Sequence, residues 1–238
     1  MKFVSVNIEG SKHLDKIKNL LEKEKPDVIC LQELYDHNIK FFEDLLHMDS
    51  VFAPMRKYAD NDLTKGIGIF AKSIIDENRH LIFGQLEKPA PVKVEMLELD
   101  RILSSQYFIL QASIEISGLN YNIVTTHLPV TEKGEVTQYQ RDALKNMLDI
   151  LNSSKELVLC GDFNAPRGRE IFTKITEQLK DNVPLKYLTS IDGNIHKAGP
   201  LPYMVDGLFT TKQYEVSNVR LVSGVSDHMA VVAEIEKV

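Results

Sequence analysis

The chain has no tryptophan, two cysteines, no excess of basic residues and no long apolar run. Each absence excludes something. Lys and Arg number 28 against 34 Asp and Glu, for a net charge of −6. That balance does not favour non-specific nucleic-acid binding, which a basic surface drives, though it leaves room for a local basic patch. "MRKY" (55–58) and "RGR" (167–169) are only small clusters. Nucleic acid is a possible partner, but the charge does not indicate it. An acidic site whose charge a metal ion offsets remains compatible with this balance. Cys30 and Cys160 both lie inside apolar runs and read as small buried hydrophobes. One pair in 238 residues is no disulfide framework. The N-terminal "MKFVSVNIEG" meets Asn7 and Glu9 too early for a secretory apolar segment. No run approaches the length needed to span a bilayer. These features predict a soluble, cytoplasmic protein without a membrane span.

What is present suits one large core. Apolar residues make up 43%, and neither a low-complexity linker nor a short repeat breaks the chain, so residues 1–238 are expected to form a single domain. "KFVSVN" and "DVICLQE" read as strands around a helix, with Leu14, Ile17, Leu20 and Leu21 at helical spacing, Ser11 as a candidate N-cap and Pro26 past the end. "HNIKFFEDLLHM" reads as a second helix; "VFAP" and "GIGIFAK" read as short strands, with Gly66 and Gly68 suggesting close backbone approach. "PVKVEMLEL" is expected to be a strand. "SGLN" between "QYFILQASIEI" and "YNIVTTHLP" marks a hairpin. A long amphipathic helix over "GEVTQYQRDALKNMLDILNSS" leads to the strand "ELVLCGDFN", a helix over "GREIFTKITEQLK", and three final strands in "MVDGLFTT", "EVSNVRLV" and "HMAVVAEIE". Strand–helix–strand thus occurs twice, and each crossover returns the chain to a parallel neighbour. Many strands with few helices suggest an α/β protein with helices packed outside its sheets.

Polar residues collect at the ends of these strands. Asn7 closes the first, Glu33 lies at the end of "VICLQE", His127 ends "NIVTTH", and Asp162 and Asn164 end "LVLCGDFN". Asp206 interrupts "MVDGLF", and Asp227 and His228 stand at the mouth of the last strand. Singly, each has an ordinary alternative: a turn, a solvated strand end, a structural histidine. If they share one rim, they form a cleft of carboxylates, amides and imidazoles. Strand ends are a common place for ligands in layered α/β folds. Crowded carboxylates repel one another and take up protons unless a hard cation such as Mg²⁺ joins them.

"SVNIEG", "LQEL", "TTHLP", "GDFNAP", "VDGLF" and "SDHMAV", in that order from residue 5 to about 231, resemble the motif set of the endonuclease/exonuclease/phosphatase (deoxyribonuclease I-like) superfamily. The resemblance implies a four-layer α/β sandwich, with two mixed β-sheets packed face to face and helices on the outer faces. It implies Mg²⁺- or Mn²⁺-dependent hydrolysis of a phosphate ester by an activated water. By position, Glu33 would be the principal metal ligand, Asp227 a second, and Glu9 a further acidic group at the metal. Asp162 would orient and deprotonate the water. Asn164 and Asn7 would hold phosphate, water or the metal-bound shell. His228 would donate to a phosphate oxygen with Asp206 fixing it, and His127 would stabilise charge on the phosphate or leaving oxygen.

Outside these motifs, Arg167 is a candidate contact for substrate phosphate, and His196 a candidate reader of substrate in the loop "TSIDGNIHKAGPLPYMVDG". The remaining histidines, His13, His37, His47 and His80, fit exposed helix or loop positions. The substrate stays open: nuclease-like, or small-molecule or lipid phosphodiesterase. A non-catalytic phospholigand-binding protein on the same fold is the alternative, and an unrelated sandwich would scatter the motif residues in space.

Overall fold

A computed structural model describes residues 1–84, 89–93 and 95–238. The first strand, β1 (Lys2–Asn7), is followed by α1 (Leu14–Glu24) and β2 (Val28–Tyr35), and β1 and β2 pair in parallel. A 3₁₀ turn at Asp36–Asn38 leads into α2 (Ile39–Leu46), and the chain then runs up and down through β3 (Asp49–Tyr58), β4 (Thr64–Ala71) and β5 (Ile74–Phe83). Next come β6 (Pro91–Val92), α3 (Glu98–Leu103) and the hairpin of β7 (Tyr107–Ile116) with β8 (Leu119–His127). The second crossover is α4 (Gln138–Leu151), which returns to β9 (Val158–Asp162) parallel to β8. The remainder is α5 (Glu170–Thr176), β10 (Lys180–Asp181), β11 (Asp206–Thr210), β12 (Tyr214–Val222) and β13 (Ala230–Lys237).

The strands form two mixed sheets, a seven-stranded one in the order β12-β13-β1-β2-β4-β3-β6 and a six-stranded one in the order β10-β11-β9-β8-β7-β5. Period-two alternation explains how they stack. In the first sheet, Phe3, Val28, Cys30, Ile67, Ile69 and Val231 belong to the core shared with the second sheet. Their strand neighbours Val4, Val6, Ile29, Leu31 and Val232 pack instead with Ile17, Leu20 and Leu21 of α1 and Phe42 of α2. On the other side, Ala143, Leu144 and Met147 of α4 and Ile171, Phe172 and Ile175 of α5 close over the second sheet. The result is the four-layer α/β sandwich implied by the motifs. No helix among the described residues is long and apolar enough to cross a membrane.

Three local expectations are corrected. Ser11 does not cap α1: its hydroxyl accepts Asn38 Nδ2 at 2.7 Å, and the helix begins at Leu14 with His13 at the cap position. The hydroxyl therefore ties the α1 and α2 entries together. "PVKVEMLEL" is not one strand. Only Pro91–Val92 pairs, and Glu98–Leu103 is helical with Ile102 turned inward and Leu99 and Leu103 exposed. Val94 lies outside the described residues. Apolar residues at Val92, Val94, Met96, Leu97, Leu99, Ile102 and Leu103 fit either period, so the pattern could not separate them. His13 is not a free surface residue, because its Nε2 lies 3.0 Å from Glu9 Oε2.

Where β8, β9 and β11 run side by side, Gly161 adopts φ 140°, and a Cβ on it would lie 2.0 Å from the Thr126 carbonyl oxygen. Gly161→Ala should therefore cost about 1–3 kcal/mol or more through forced backbone displacement. The cost should appear as a lower urea midpoint with an unchanged slope. A midpoint equal to wild type would show that the sheet accepts the methyl without strain.

Candidate active site

The site grows from a polarity gradient in the seam between the sheets. At one end the inward residues are apolar: Phe3 on β1, Val28 and Cys30 on β2, Cys160 on β9. One step along, Gln32 Nε2 donates to Ser5 Oγ at 3.3 Å and to Thr125 Oγ1 at 3.1 Å, which links β1, β2 and β8 through buried polar groups. At the rim come Asn7, His127 and Asp162. The two parallel pairs end at this rim together, which is why polar strand ends distant in sequence meet.

Glu33 reaches the rim through a β-bulge. Gln32 pairs with Ile67 and Leu34 with Gly66, so Glu33 is the extra residue on β2, at φ 58°. Regular alternation would have put Glu33 on the helix side after Ile29 and Leu31. The bulge gives that apolar place to Leu34 and leaves the carboxylate at the cleft. The strand opposite must accommodate this: a Cβ on Gly66 would lie 2.1 Å from the Ala53 carbonyl oxygen. Burial opposes ionisation of Glu33, but Lys65, whose Nζ lies 2.7 Å from Glu33 Oε2, together with His127 and His228, holds the carboxyl at about 2. Burial likewise opposes the charge on Lys65, and Glu33 raises it to about 12.

Asp162 is the hub, with its side chain 1% exposed. Its Oδ2 accepts Asn7 Nδ2 at 3.1 Å, and its Oδ1 accepts the Asn164 backbone N–H at 2.9 Å. His127 Nε2 lies 3.5 Å and His228 Nε2 3.8 Å from Oδ2. Asn164, at φ 48°, anchors itself by donating from Nδ2 to the Leu128 carbonyl at 2.9 Å. On the neighbouring strand Asp206 is the register partner of Asp162, and its Oδ2 lies 2.8 Å from His228 Nδ1. Ser190 Oγ accepts the backbone N–H groups of Val205 and Asp206, both at 3.1 Å. Burial disfavours the imidazolium of His228, yet Asp206 and Asp162 push its pKa up to about 10. The two carboxylates thus favour the protonated imidazole, whose Nδ1 lies against Asp206 and whose Nε2 lines the cleft. His127 goes the other way: burial lowers its pKa despite Asp162 and Glu33.

The opposite lip holds Glu9 and Asp227. Glu9 pairs with Lys12 and His13, and its backbone N–H donates to Asn7 Oδ1 at 3.1 Å. Burial, with Glu9 and Glu33 nearby, raises the carboxyl of Asp227. Asp227 and the His196 loop are fastened by one residue that sequence reading missed, whose backbone bonds both and whose side chain holds the flanking turns. Asp192, 2% exposed, accepts Gly224 N–H on Oδ2 at 2.6 Å and Asn194 N–H on Oδ1 at 3.1 Å, while its own N–H donates to the Asp227 carbonyl at 2.8 Å. Its carbonyl accepts His196 N–H at 2.8 Å. The only sequence signal was an Asp-Gly-Asn turn before His196.

These residues surround a cleft of about 760 Å³. Asn7, Glu9, Glu33, His127, Asp162, Asn164, Asp227, His228 and His196 line it, with Asp206 behind His228. Arg167 stands elsewhere. Its guanidinium pairs with Asp181 at 2.9 Å and donates to the Val183 and Tyr187 carbonyls, packing over Phe172, so it fastens a surface loop instead of reaching the cleft. The structure also brings in Lys65, Arg56, Tyr35 and Tyr58, which no motif marked.

Two groups of donors could hold a metal. Ligand atoms of Asp162, Asp206 and His228 all lie within 4.8 Å of one another, but there the imidazole already bridges the carboxylates. Glu33, Asp227 and Glu9 offer oxygen donors alone; burial raises the Asp227 carboxyl, and the charges of Glu9 and Glu33 add to that. That donor chemistry fits a hard divalent cation better.

A model of the Endonuclease/Exonuclease/phosphatase family matches residues 4–228. No curated protein matches the chain. Among solved structures, an endonuclease/exonuclease/phosphatase from Beutenbergia cavernae is 16% identical at TM-score 0.77, over 100% of this chain and 71% of that one. A mannosyl-6-phosphatase from Bacteroides thetaiotaomicron is 13% identical at TM-score 0.71, over 99% of both chains. The human Nocturnin catalytic domain with bound sulfate is 18% identical at TM-score 0.70, over 100% of this chain and 94% of that one.

Asp192→Ala should destabilise the fold by about 1–3 kcal/mol, because the Gly224 and Asn194 backbone N–H groups lose their charged acceptor. It should also weaken Mn²⁺ binding severalfold more than a surface control such as Lys186→Ala. Denaturation and calorimetric Mn²⁺ titration read the two effects. Wild-type Mn²⁺ affinity in a folded Asp192→Ala protein would remove its role in placing Asp227.

Proposed function

The chain belongs to the endonuclease/exonuclease/phosphatase family, and from that premise we propose that it is a phosphoesterase that uses Mg²⁺ or Mn²⁺ and an activated water. The observation that carries this reading is the convergence on Asp162. Its buried carboxylate, held by Asn7 and Asn164, faces two imidazoles of opposite tuning beside a group of oxygen donors.

In the reaction, Asp162 accepts the proton of the attacking water and fixes its direction, with Asn7 and Asn164 locking the carboxylate plane. His228 donates its Nε2–H to a phosphate oxygen while Asp206 keeps Nδ1–H engaged. His127, whose charged form burial disfavours, offers a donor near the phosphate or leaving oxygen. Glu33 and Asp227, with Glu9 close by, would hold the cation. When bound, the cation polarises a phosphate oxygen and neutralises developing charge. His196 lines the cleft from its loop and would contribute to selectivity. The substrate is a phosphate ester of a size that fits about 760 Å³, within the usual range of small-molecule pockets. The structural likeness to a mannosyl-6-phosphatase makes sugar phosphates natural first probes.

A Mg²⁺/Mn²⁺ panel should cover sugar and inositol phosphates, cyclic dinucleotides, sphingomyelin, RNA, single-stranded, nicked and abasic DNA, and a chromogenic diester. On any accepted substrate Asp162→Asn should lower kcat by about 10²–10⁴-fold, because the water loses its base. Glu33→Ala should weaken cation binding in calorimetry while leaving the melting transition intact, and EDTA should abolish turnover until Mg²⁺ is restored. Full activity in either variant at matched Mg²⁺ contradicts the roles assigned. A wild-type protein that binds Mn²⁺ and phosphate but turns over nothing on the panel would be a phospholigand-binding protein instead.

A further inference from the structure

Charge is not distributed evenly along the rim of the first sheet. Following the strand order β1-β2-β4-β3, the rim passes from Asn7, through Glu33 and Tyr35, to Lys65 and then Arg56. Tyr35 and Lys65 are register partners, as are Lys65 and Arg56. Directly paired residues project to the same face, so these three side chains form a row across three strands. A second bulge creates it: Pro54 pairs with Gly66 and Arg56 with Lys65, leaving Met55 as the extra residue on β3. Adjacent strands lie ~4.8 Å apart, so Arg56 stands about 10 Å along the rim from the strand that carries Glu33.

The two cations of this row differ in what they face. Lys65 is matched by Glu33 at 2.7 Å. Arg56 pairs with no carboxylate among the described residues. Its Nε donates to Ser105 Oγ at 2.8 Å, and that hydroxyl donates to the Arg101 carbonyl at 2.6 Å, which orients its lone pairs toward the guanidinium. Tyr58 and Tyr107 flank it and, like Arg56, line the cleft. A half-buried guanidinium steered by a neutral hydroxyl, without a carboxylate to neutralise it, is an arrangement completed by an incoming anion. Its planar fork matches phosphate or carboxylate through two parallel hydrogen bonds.

We propose that Arg56, oriented by Ser105 and bordered by Tyr58, is a second anion subsite of the same cleft, so that the preferred substrate is a small phosphoester carrying a second phosphate or carboxylate. The inference rests on the phosphoesterase reading for the first phosphate. The scissile group would lie over Asp162, His228 and the acidic lip, and the second anion at Arg56, one to two strand spacings away. A long polyanion is disfavoured because the cationic row is short and the protein as a whole carries −6. Tyr35 and Tyr58, whose rings lie 6.0 Å apart, offer faces to the organic part that joins the two anions.

Calorimetric titration with Ca²⁺ in place of Mg²⁺ tests this without relying on turnover. The ligand pairs are adenosine 3′,5′-bisphosphate against adenosine 5′-monophosphate, and 3-phosphoglycerate against glycerol 3-phosphate. The wild-type protein should bind the doubly anionic member of at least one pair about tenfold or more tightly. The first pair reports a second phosphate and the second pair a carboxylate. Arg56→Ala should bring that ratio close to one, and Arg56→Lys, which keeps charge but not the fork, should recover only part of it. Melting curves confirm that each variant is folded, and Arg56→Gln replaces Arg56→Ala if the latter is not. Equal affinities within both pairs, no binding of any of the four, or equal weakening of both members by Arg56→Ala would overturn the subsite. The hydrolysis reading is judged separately by the Mg²⁺ panel and its Asp162→Asn control, so either idea can fail without the other.

Discussion

A carboxylate placed between two sheets, almost wholly out of water, must have its oxygens satisfied by the protein. Asp162 meets that demand with groups from both sheets: Asn7 from the first, with His228 close by at the entry to its strand β13, and the backbone of Asn164, with His127 close by, from the second and its loop. Much of the surrounding architecture follows from it. The sheets must approach closely at this rim, the parallel pairs must end there together, and Gly161 must let three strands crowd behind it. The same bonds that satisfy the carboxylate hold it still, which is what a proton acceptor for an attacking water requires.

Charge in the cleft is divided by position. Acids gather on the β1–β2 side and the last loop, while cations follow on β4 and β3. Two bulges, at Glu33 and at Met55, produce this division, because each shifts alternation by one residue and turns a charged side chain into the cleft. Glycine at position 66, between the bulges, is what the compressed backbone tolerates. One short stretch of sheet therefore sets both the expected cation-binding carboxylate and the guanidinium across from it. The His196 loop and the Asp227 loop are a second such unit, fastened together by Asp192.

Much of this was legible in the sequence. Helical spacing in α1 and α4, alternation in β7 and β8, and the hairpin signal at Ser117–Gly118 gave the elements, and the two strand–helix–strand units gave parallel pairs. The ordered motifs named the polar strand-end residues of the cleft, while most of its remaining lining lies outside them. Reading failed where a residue's partner is remote. Arg167 follows the "GDFNAP" motif, yet its charge is consumed by Asp181 and two carbonyls. Arg56 and Lys65 sit in stretches without any motif. Ser11 looked like a cap, but its hydroxyl is engaged by Asn38, 27 residues away. From Leu97 to Leu103 the spacing of the apolar residues fits strand and helix alike, so it could not choose between them.

By itself the sequence determined which residue types stand at the strand ends and in what order, because periodicity and strand termini are local properties of the chain. It also determined the family, because the order of the motifs is a property of the chain and independent of distance in space. Only the tertiary structure decided which of those side chains meet, which cation is matched and which is left facing the cleft. Those outcomes depend on cross-strand register, on two one-residue bulges and on the distance between sheets, and all three are fixed by packing between segments that lie far apart in the sequence.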